Sequence, residues 1–231
     1  AREQGIATPQ AEVEDWLRGQ GWHLAGAEAG DAGAHAGEIA ALASLAARDL
    51  AQDHVARAAA DSRALPYEAF TAALAEGEAD PIRLAARFGA PVLAVMRRTA
   101  LLPGAEAGLV LCDGSGTLTF RKPAPGFPLP RFGAACPLWP LYTALARPFT
   151  PVRMAVETPG PSGARFIALA YCESRHPEGF AGPELREAAM LVLPDTGPRR
   201  PEALGLGSTC RICPRQACPA RRRRSITREG V

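Results

Sequence analysis

The apolar positions of this chain change their spacing near Pro103. Before it they recur every three or four residues, the period of a helix face. After it they alternate or gather in short blocks between Gly and Pro, the pattern of strands and turns. Val13, Trp16 and Leu17 share a face over Glu12 to Arg18, and Gly19 and Gly21 end that helix. Residues 26–37 are rich in Ala and Gly and read as loose. From Ala36 to Ala60 the chain is Ala-rich, with Ile39, Leu42, Leu45 and Leu50 expected near one face. Asp80 is placed as an N-cap with Pro81 at the first helical position; Leu84, Ala85 and Phe88 form a stripe that Gly89 stops. Ala90-Pro91 opens another helix, carrying Val92, Val95 and Met96, and Pro103-Gly104 closes it.

Gly108 to Cys112 and Thr117 to Arg121 read as two strands joined by the turn Asp113-Gly-Ser-Gly116, a hairpin. Four prolines make a loop of Lys122 to Pro130. A short helix is expected within Cys136 to Arg147. Two more strands follow, Pro151 to Glu157 and Ala164 to Cys172, and Glu184 to Leu193 fits a helix or a last strand. The fold class is therefore α+β. It comprises a helical region over 1–103, a small antiparallel-sheet domain over 104–195, and a cysteine-rich segment with a basic end over 196–231.

That last segment holds the most specific chemistry, C-x2-C-x4-C at Cys210, Cys213 and Cys218. Two thiolates two residues apart can grip one centre from a tight turn, and a third can close over it. Pro214 and Pro219 prevent a regular helix, so a knuckle is expected. Soft thiolates point to an iron–sulfur cluster or zinc rather than to magnesium or calcium, and the spacing admits both. A complete site takes four ligands. The fourth is open among Cys136, Cys112, Cys172, His176, an external thiol and water. Six cysteines also permit disulfides, although the absence of a secretory signal favours the reducing cytoplasm, where clustered cysteines are usually ligands.

Charge adds a second asymmetry. The chain carries a formal +2, yet from Arg199 onward there are nine Arg against two Glu, so the body is mildly acidic and its end basic. Such an end suits phosphates, or is simply solvated. No apolar run is long enough for a membrane helix. There is no H-E-x-x-H, G-x-S-x-G or P-loop, and His23, His35, His54 and His176 lack a carboxylate at motif spacing, so no catalytic residue and no enzymatic activity are expected.

Two further stretches have both a functional and a plain reading. Arg131 to Tyr142 packs Phe132, Trp139 and Tyr142 around Cys136 among small residues; it suits a small-molecule pocket or an ordinary core. Leu84 to Arg98 fits a helix-turn-helix about Gly89, with Arg97 and Arg98 on its second helix, or a structural helix pair.

Three segments resemble the C-terminal part of bacterial short-chain fatty acyl-CoA-responsive transcriptional regulators of the XRE type. They are Leu65-Pro-Tyr-Glu-Ala-Phe70 with Asp80 to Gly89 and Arg97-Arg98; Asp113 to Lys122 with Phe132-Gly-Ala-Ala-Cys-Pro-Leu-Trp139; and Gly205 to Cys218-Pro. The resemblance implies a cytoplasmic regulator of propionate and acetate use. It implies a degenerate metallopeptidase-like helical region, a PAS-like domain that senses acyl-CoA, and a [4Fe–4S] cluster held by Cys210, Cys213 and Cys218, with zinc as the alternative. Ligand contacts are then expected from Phe132, Cys136 and Trp139 for the acyl group and from Arg121, Lys122 and Arg165 for the phosphates. DNA would be bound through a helix-turn-helix domain absent from this chain, in a homodimer. Two alternatives remain: a metal or redox sensor that binds no CoA, and a zinc-knuckle protein whose Arg-rich end binds nucleic acid.

Overall fold

The computed structural model describes residues 8–31, 33–130, 134–159, 163–198 and 200–227. The chain divides into two compact units, Ala1–Ala105 and Glu106–Val231. The cysteine-rich segment belongs to the second.

The first unit is helical: α1 Pro9–Gly19, α2 Ala25–Glu28, α3 Ala36–Ala40, α4 Leu45–Ala64, α5 Tyr67–Ala75, α6 Pro81–Phe88 and α7 Val92–Leu101. Local chemistry sets several ends. The Asp80 carboxylate accepts from the Ile82 and Arg83 amides, and Gly89 closes α6 in the left-handed region at φ 63°. The expected long face through Ile39, Leu42, Leu45 and Leu50 is corrected. Ser44 caps a new helix, so Ile39 and Leu42 are buried before the break, whereas Leu45 is 74% exposed and Leu50 38%. Ala47, Ala51 and Val55 form the buried face of α4 instead, their small side chains allowing close packing. The stretch read as loose contains α2. No helix among the described residues is long and apolar enough to cross a membrane.

The second unit is a six-stranded sheet in the order β2-β1-β5-β4-β3-β6. Its strands are β1 Gly108–Asp113, β2 Leu118–Lys122, β3 Val152–Glu157, β4 Arg165–Arg175, β5 Leu185–Pro194 and β6 Leu204–Gly205. All neighbours pair antiparallel except β3 and β6, which run parallel. The ambiguous segment at 184–193 is thus a strand. It occupies the middle of the sheet and is buried over Ala188 to Val192, which removes the alternation that marks a one-sided strand. The helix α8, Pro140–Leu145, packs on β1, β3, β4 and β5. Beneath it Val110, Cys112, Val156, Phe166, Ala168, Ala170, Cys172, Ala188 and Met190 form the core with Trp139 and Phe127.

Candidate metal centre

The cysteine segment is fastened to the sheet before its first thiol. Leu204 and Gly205 pair with Val156 and Glu157 of β3, the Leu206 amide donates to the Glu157 carbonyl at 2.8 Å, and the Leu206 side chain is wholly buried. The chain then meets the segment that leads into α8. The Cys136 amide donates to the Ser208 carbonyl at 2.8 Å, and the Trp139 indole N–H donates to the Gly207 carbonyl at 3.0 Å. These two bonds join positions about seventy residues apart. They place the buried Cys136 thiol beside Cys210 and Cys213, near enough for their charges to act on it.

The segment expected to form a knuckle runs through one 3-10 turn, Cys210–Ile212, followed by an extended Cys213. A Cβ at Gly207 would stand 2.8 Å from the Cys213 sulfur and 3.1 Å from its Cβ, so only glycine lets the thiol lie there. The basic end folds back over this turn. Arg221 donates to the carbonyls of Cys210 at 3.1 Å and Cys213 at 3.5 Å, and also to that of Arg215. Arg215 donates to the Gly205 carbonyl at 3.0 Å, Arg222 to that of Ala135, and the Ile226 amide to that of Arg211 at 2.8 Å. Residues 221–227 are therefore woven into the site.

The thiols differ in acidity. Burial pushes the Cys136 thiol up, and the neighbouring Cys210 and Cys213 charges add to it against the amides of Leu138 and Gly207. Burial also opposes ionisation of Cys210. There the amides of Arg222 and Arg223 and the Arg222 guanidinium outweigh it, so this thiol lies below its ordinary value. Cys112 is buried near Asp113 and Cys172 and is pushed up to about 12. Cys112 and Cys172 both stand opposite Ala188, on the two strands that flank β5. Two strand spacings separate their Cα atoms by about 9–10 Å, beyond the reach of a disulfide. These two serve the core.

Soft donors stand on the two cross-tied segments, Cys136 on one and Cys210, Cys213 and Cys218 on the other. Cys210, Cys213 and Cys218 are half-buried and none of the six cysteines is in a disulfide. The Arg221 Nε is buried without a hydrogen-bond partner in the middle of the knuckle, an N–H that a negatively charged group would satisfy. Among the described residues no three His, Cys, Asp or Glu side chains are gathered closely enough to hold a single metal ion.

The other anticipated contact residues are dispersed. Trp139 is completely buried against Phe127 at 5.9 Å between ring centroids, and with its indole bonded to Gly207 it holds the knuckle to the core. The Lys122 ammonium is buried, donates to the Ala107 carbonyl at 2.7 Å, and has its pKa lowered by that burial. Arg121, its neighbour on β2, donates to the Pro130 carbonyl at 2.9 Å. Arg165 is half-buried at the start of β4, paired with Glu157. Phe132 lies outside the described residues. Arg97 and Arg98 face inward on α7: Arg97 grips Asp61 with two bonds of 2.7 and 2.8 Å, and Arg98 grips Glu28. Their charge is spent on the helical unit, which favours the structural helix pair over a DNA-reading helix.

The sheet, the knuckle and the returning arginines coincide with one family. A family model described as "Short-chain fatty acyl coenzyme A regulator, C-terminal" matches residues 104–230. The chain belongs to that family. It is 34% identical over 199 residues to the propionyl-CoA carboxylase regulator of Cereibacter sphaeroides, covering 80% of this chain and 43% of the relative. It is 29% identical over 191 residues to the transcriptional regulator RamB of Mycobacterium tuberculosis, with 75% and 40% covered. With PrpR of the same organism it shares 28% over 196 residues, with 76% and 39% covered. The chain thus spans less than half the length of these relatives. A solved structure of a Mycobacterium tuberculosis transcriptional regulator superimposes with a TM-score of 0.69 at 25% identity, over 96% of this chain and 70% of that one. The matched region of the family model begins where the helical unit ends.

Proposed function

We propose that this chain is the sensing part of a transcriptional regulator of short-chain fatty acid metabolism, with propionate and acetate as the carbon sources. It binds a short-chain acyl-CoA and carries a [4Fe–4S] cluster. It controls DNA through a helix-turn-helix domain outside this chain, in a cytoplasmic homodimer. The family and the three regulators it resembles support the regulatory role. A single sheet covered by α8 is compatible with the PAS-like layout of such sensors.

One observation carries the cluster reading: the Cys136 amide bonds to the knuckle backbone and brings a fourth sulfur beside Cys210 and Cys213. Cys136, Cys210, Cys213 and Cys218 are the four ligands. A tetrahedral zinc site needs its sulfurs roughly 3.8 Å apart for bonds of about 2.3 Å. A cluster is a larger body and takes its sulfurs farther apart; the family resemblance is what points to the cluster, with zinc as the alternative. When bound, the cluster supplies a compact inorganic anchor that pins the knuckle to the α8 segment. The protein's own part is to hold four thiols in register, to donate N–H groups from Arg221 and Arg222, and to keep water from the Cys136 side.

For the acyl-CoA, Arg121 and Arg165 are the phosphate contacts, and the 131–139 segment supplies the acyl contact. Cys136 and Trp139 belong to that segment, and Lys122 is held on β2 by the Ala107 carbonyl. Regulation requires the ligand to favour one of two arrangements, and the knuckle packed on β3 and α8 is the movable part. Two measurements test this. Anaerobic reconstitution is expected to yield a brown protein with about four irons per chain; a colourless protein with stoichiometric zinc refutes the cluster. Acetyl-, propionyl- or butyryl-CoA is expected to raise the melting midpoint, and no shift with any of the three refutes the thioester ligand.

A further inference from the structure

The basic end has an outer surface as well as an inner one. Residues 203–227 hold six Arg and no Lys, Asp or Glu. Two of the six turn inward: Arg215 donates to the Gly205 carbonyl and Arg221 to that of Cys210. Arg222 is exposed, but its guanidinium is engaged by the Ala135 carbonyl and the Cys210 sulfur. Arg211, Arg223 and Arg224 are exposed too, and none of their side chains makes an ion pair or a hydrogen bond with another described residue.

These three guanidiniums belong to one surface. The Ile226 amide donates to the Arg211 carbonyl at 2.8 Å, and the amides of Arg222 and Arg223 point at the Cys210 sulfur. The 221–226 stretch therefore runs beside the Cys210–Ile212 turn. Two apolar side chains share that surface, Ile212 at 48% exposed and Ile226 at 68%. A solvated tail would scatter its charges and pay to order them on binding. Here backbone bonds hold the stretch in place beforehand, which lowers that cost.

We infer that this surface is a second DNA contact of the regulator, made by this chain itself to the sugar–phosphate backbone of a duplex. Arg211, Arg223 and Arg224 take phosphate oxygens, each guanidinium fork matching two oxygens of one phosphate. Ile212 and Ile226 lie against the apolar faces of the sugars between them. A run of carboxylates offers charge without those faces. Such a contact positions the protein on the duplex and reads no sequence, so it adds to a helix-turn-helix without replacing it. The choice of DNA rests on the regulatory role proposed above. The charge and its placement do not, and neither metal nor CoA enters.

The test is fluorescence anisotropy of a labelled duplex of arbitrary sequence titrated with the full chain over a range of KCl. Saturable binding is expected at low salt. Three phosphate contacts give log affinity a slope of about −3 against log salt, a loss of about fortyfold between roughly 50 and 200 mM. The double variant Arg223→Gln, Arg224→Gln is expected to weaken binding at least about tenfold at the lower salt and to flatten the slope by about two. Arg175→Gln, a change of charge at the exposed end of β4, should leave both as they are. Absence of saturable binding overturns the proposal, as does an unchanged slope in the double variant. An equal loss in Arg175→Gln overturns it too, since net charge would then be the cause. Polyglutamate, or phosphatidylcholine vesicles containing phosphatidylglycerol, bound as tightly as the duplex would assign the surface to an acidic protein or a lipid headgroup instead. Each of these results leaves the iron content and the CoA thermal shift untouched, so failure here is distinct from failure of the sensing role.

Discussion

At the scale of single residues, the site depends on what small groups permit. Gly207 admits the Cys213 sulfur only because it has no side chain. Gly207→Ala forces the knuckle to move, a cost of roughly 1–3 kcal/mol by overpacking, and reconstituted protein should carry fewer irons per chain than the parent. The thiols should also report their surroundings. Cys210 is more acidic than an ordinary thiol near 8.5, so in the cluster-free protein iodoacetamide should label it at a lower pH than Cys136. Cys112, pushed up to about 12, should stay unlabelled while the protein is folded. Arg222→Ala removes one of the groups that favour the Cys210 thiolate, and should move its labelling profile to higher pH. An unchanged profile, read by peptide mass analysis, would contradict the role given to Arg222. The three clustered cysteines stand out in sequence, as candidate ligands, because their spacing is local. Among several candidates for the fourth, the case for Cys136 rests on two hydrogen bonds between segments about seventy residues apart, which no local pattern encodes.

At the scale of elements, legibility follows the range of the forces that set each one. The helix α6 is readable because its cap, its proline and its glycine act within a few residues. Asp80→Ala should cost about 1 kcal/mol, seen as a lower urea midpoint for the helical unit. The face of α4 is harder to read. Alanine gives little contrast between buried and exposed, and the Ser44 cap starts a new helix inside an apparently continuous stripe. The central strand β5 is ambiguous because both its faces are buried, a consequence of its neighbours β1 and β4. The arginines of α7 look like a basic surface until their distant partners are known. Asp61 and Arg97 are about nine-tenths buried, and Asp61→Ala removes the carboxylate that accepts two bonds from the Arg97 guanidinium. A loss of roughly 3 kcal/mol is expected, larger than the cap variant and confined to the same transition. Two units with separate cores make two transitions the expectation for the chain, and the calorimetric trace of each variant shows which one moves.

At the scale of the whole molecule, the basic end is the element whose behaviour the site should control. Arg221 and Arg222 donate to carbonyls of the knuckle and of Ala135, and the Ile226 amide closes on Arg211. These contacts exist only while the knuckle keeps its turn. A group that binds four thiols of the folded knuckle stabilises that turn by linkage, and binding to unfolded cysteines reduces the gain. Cleavage of a locally opened segment follows the population of the open form when reclosing is fast. The run Arg221 to Arg224 offers trypsin four adjacent sites. Cluster-loaded protein should therefore resist cleavage there, while cluster-free protein is cut early, losing its last few residues. Arg175, exposed at the end of β4 and away from the knuckle's hydrogen bonds, is the internal control. Its cleavage rate should not depend on iron. Equal acceleration at both places would mean that losing the cluster loosens the second unit as a whole. Unchanged rates at Arg221 to Arg224 would mean that the knuckle keeps its turn without any inorganic group.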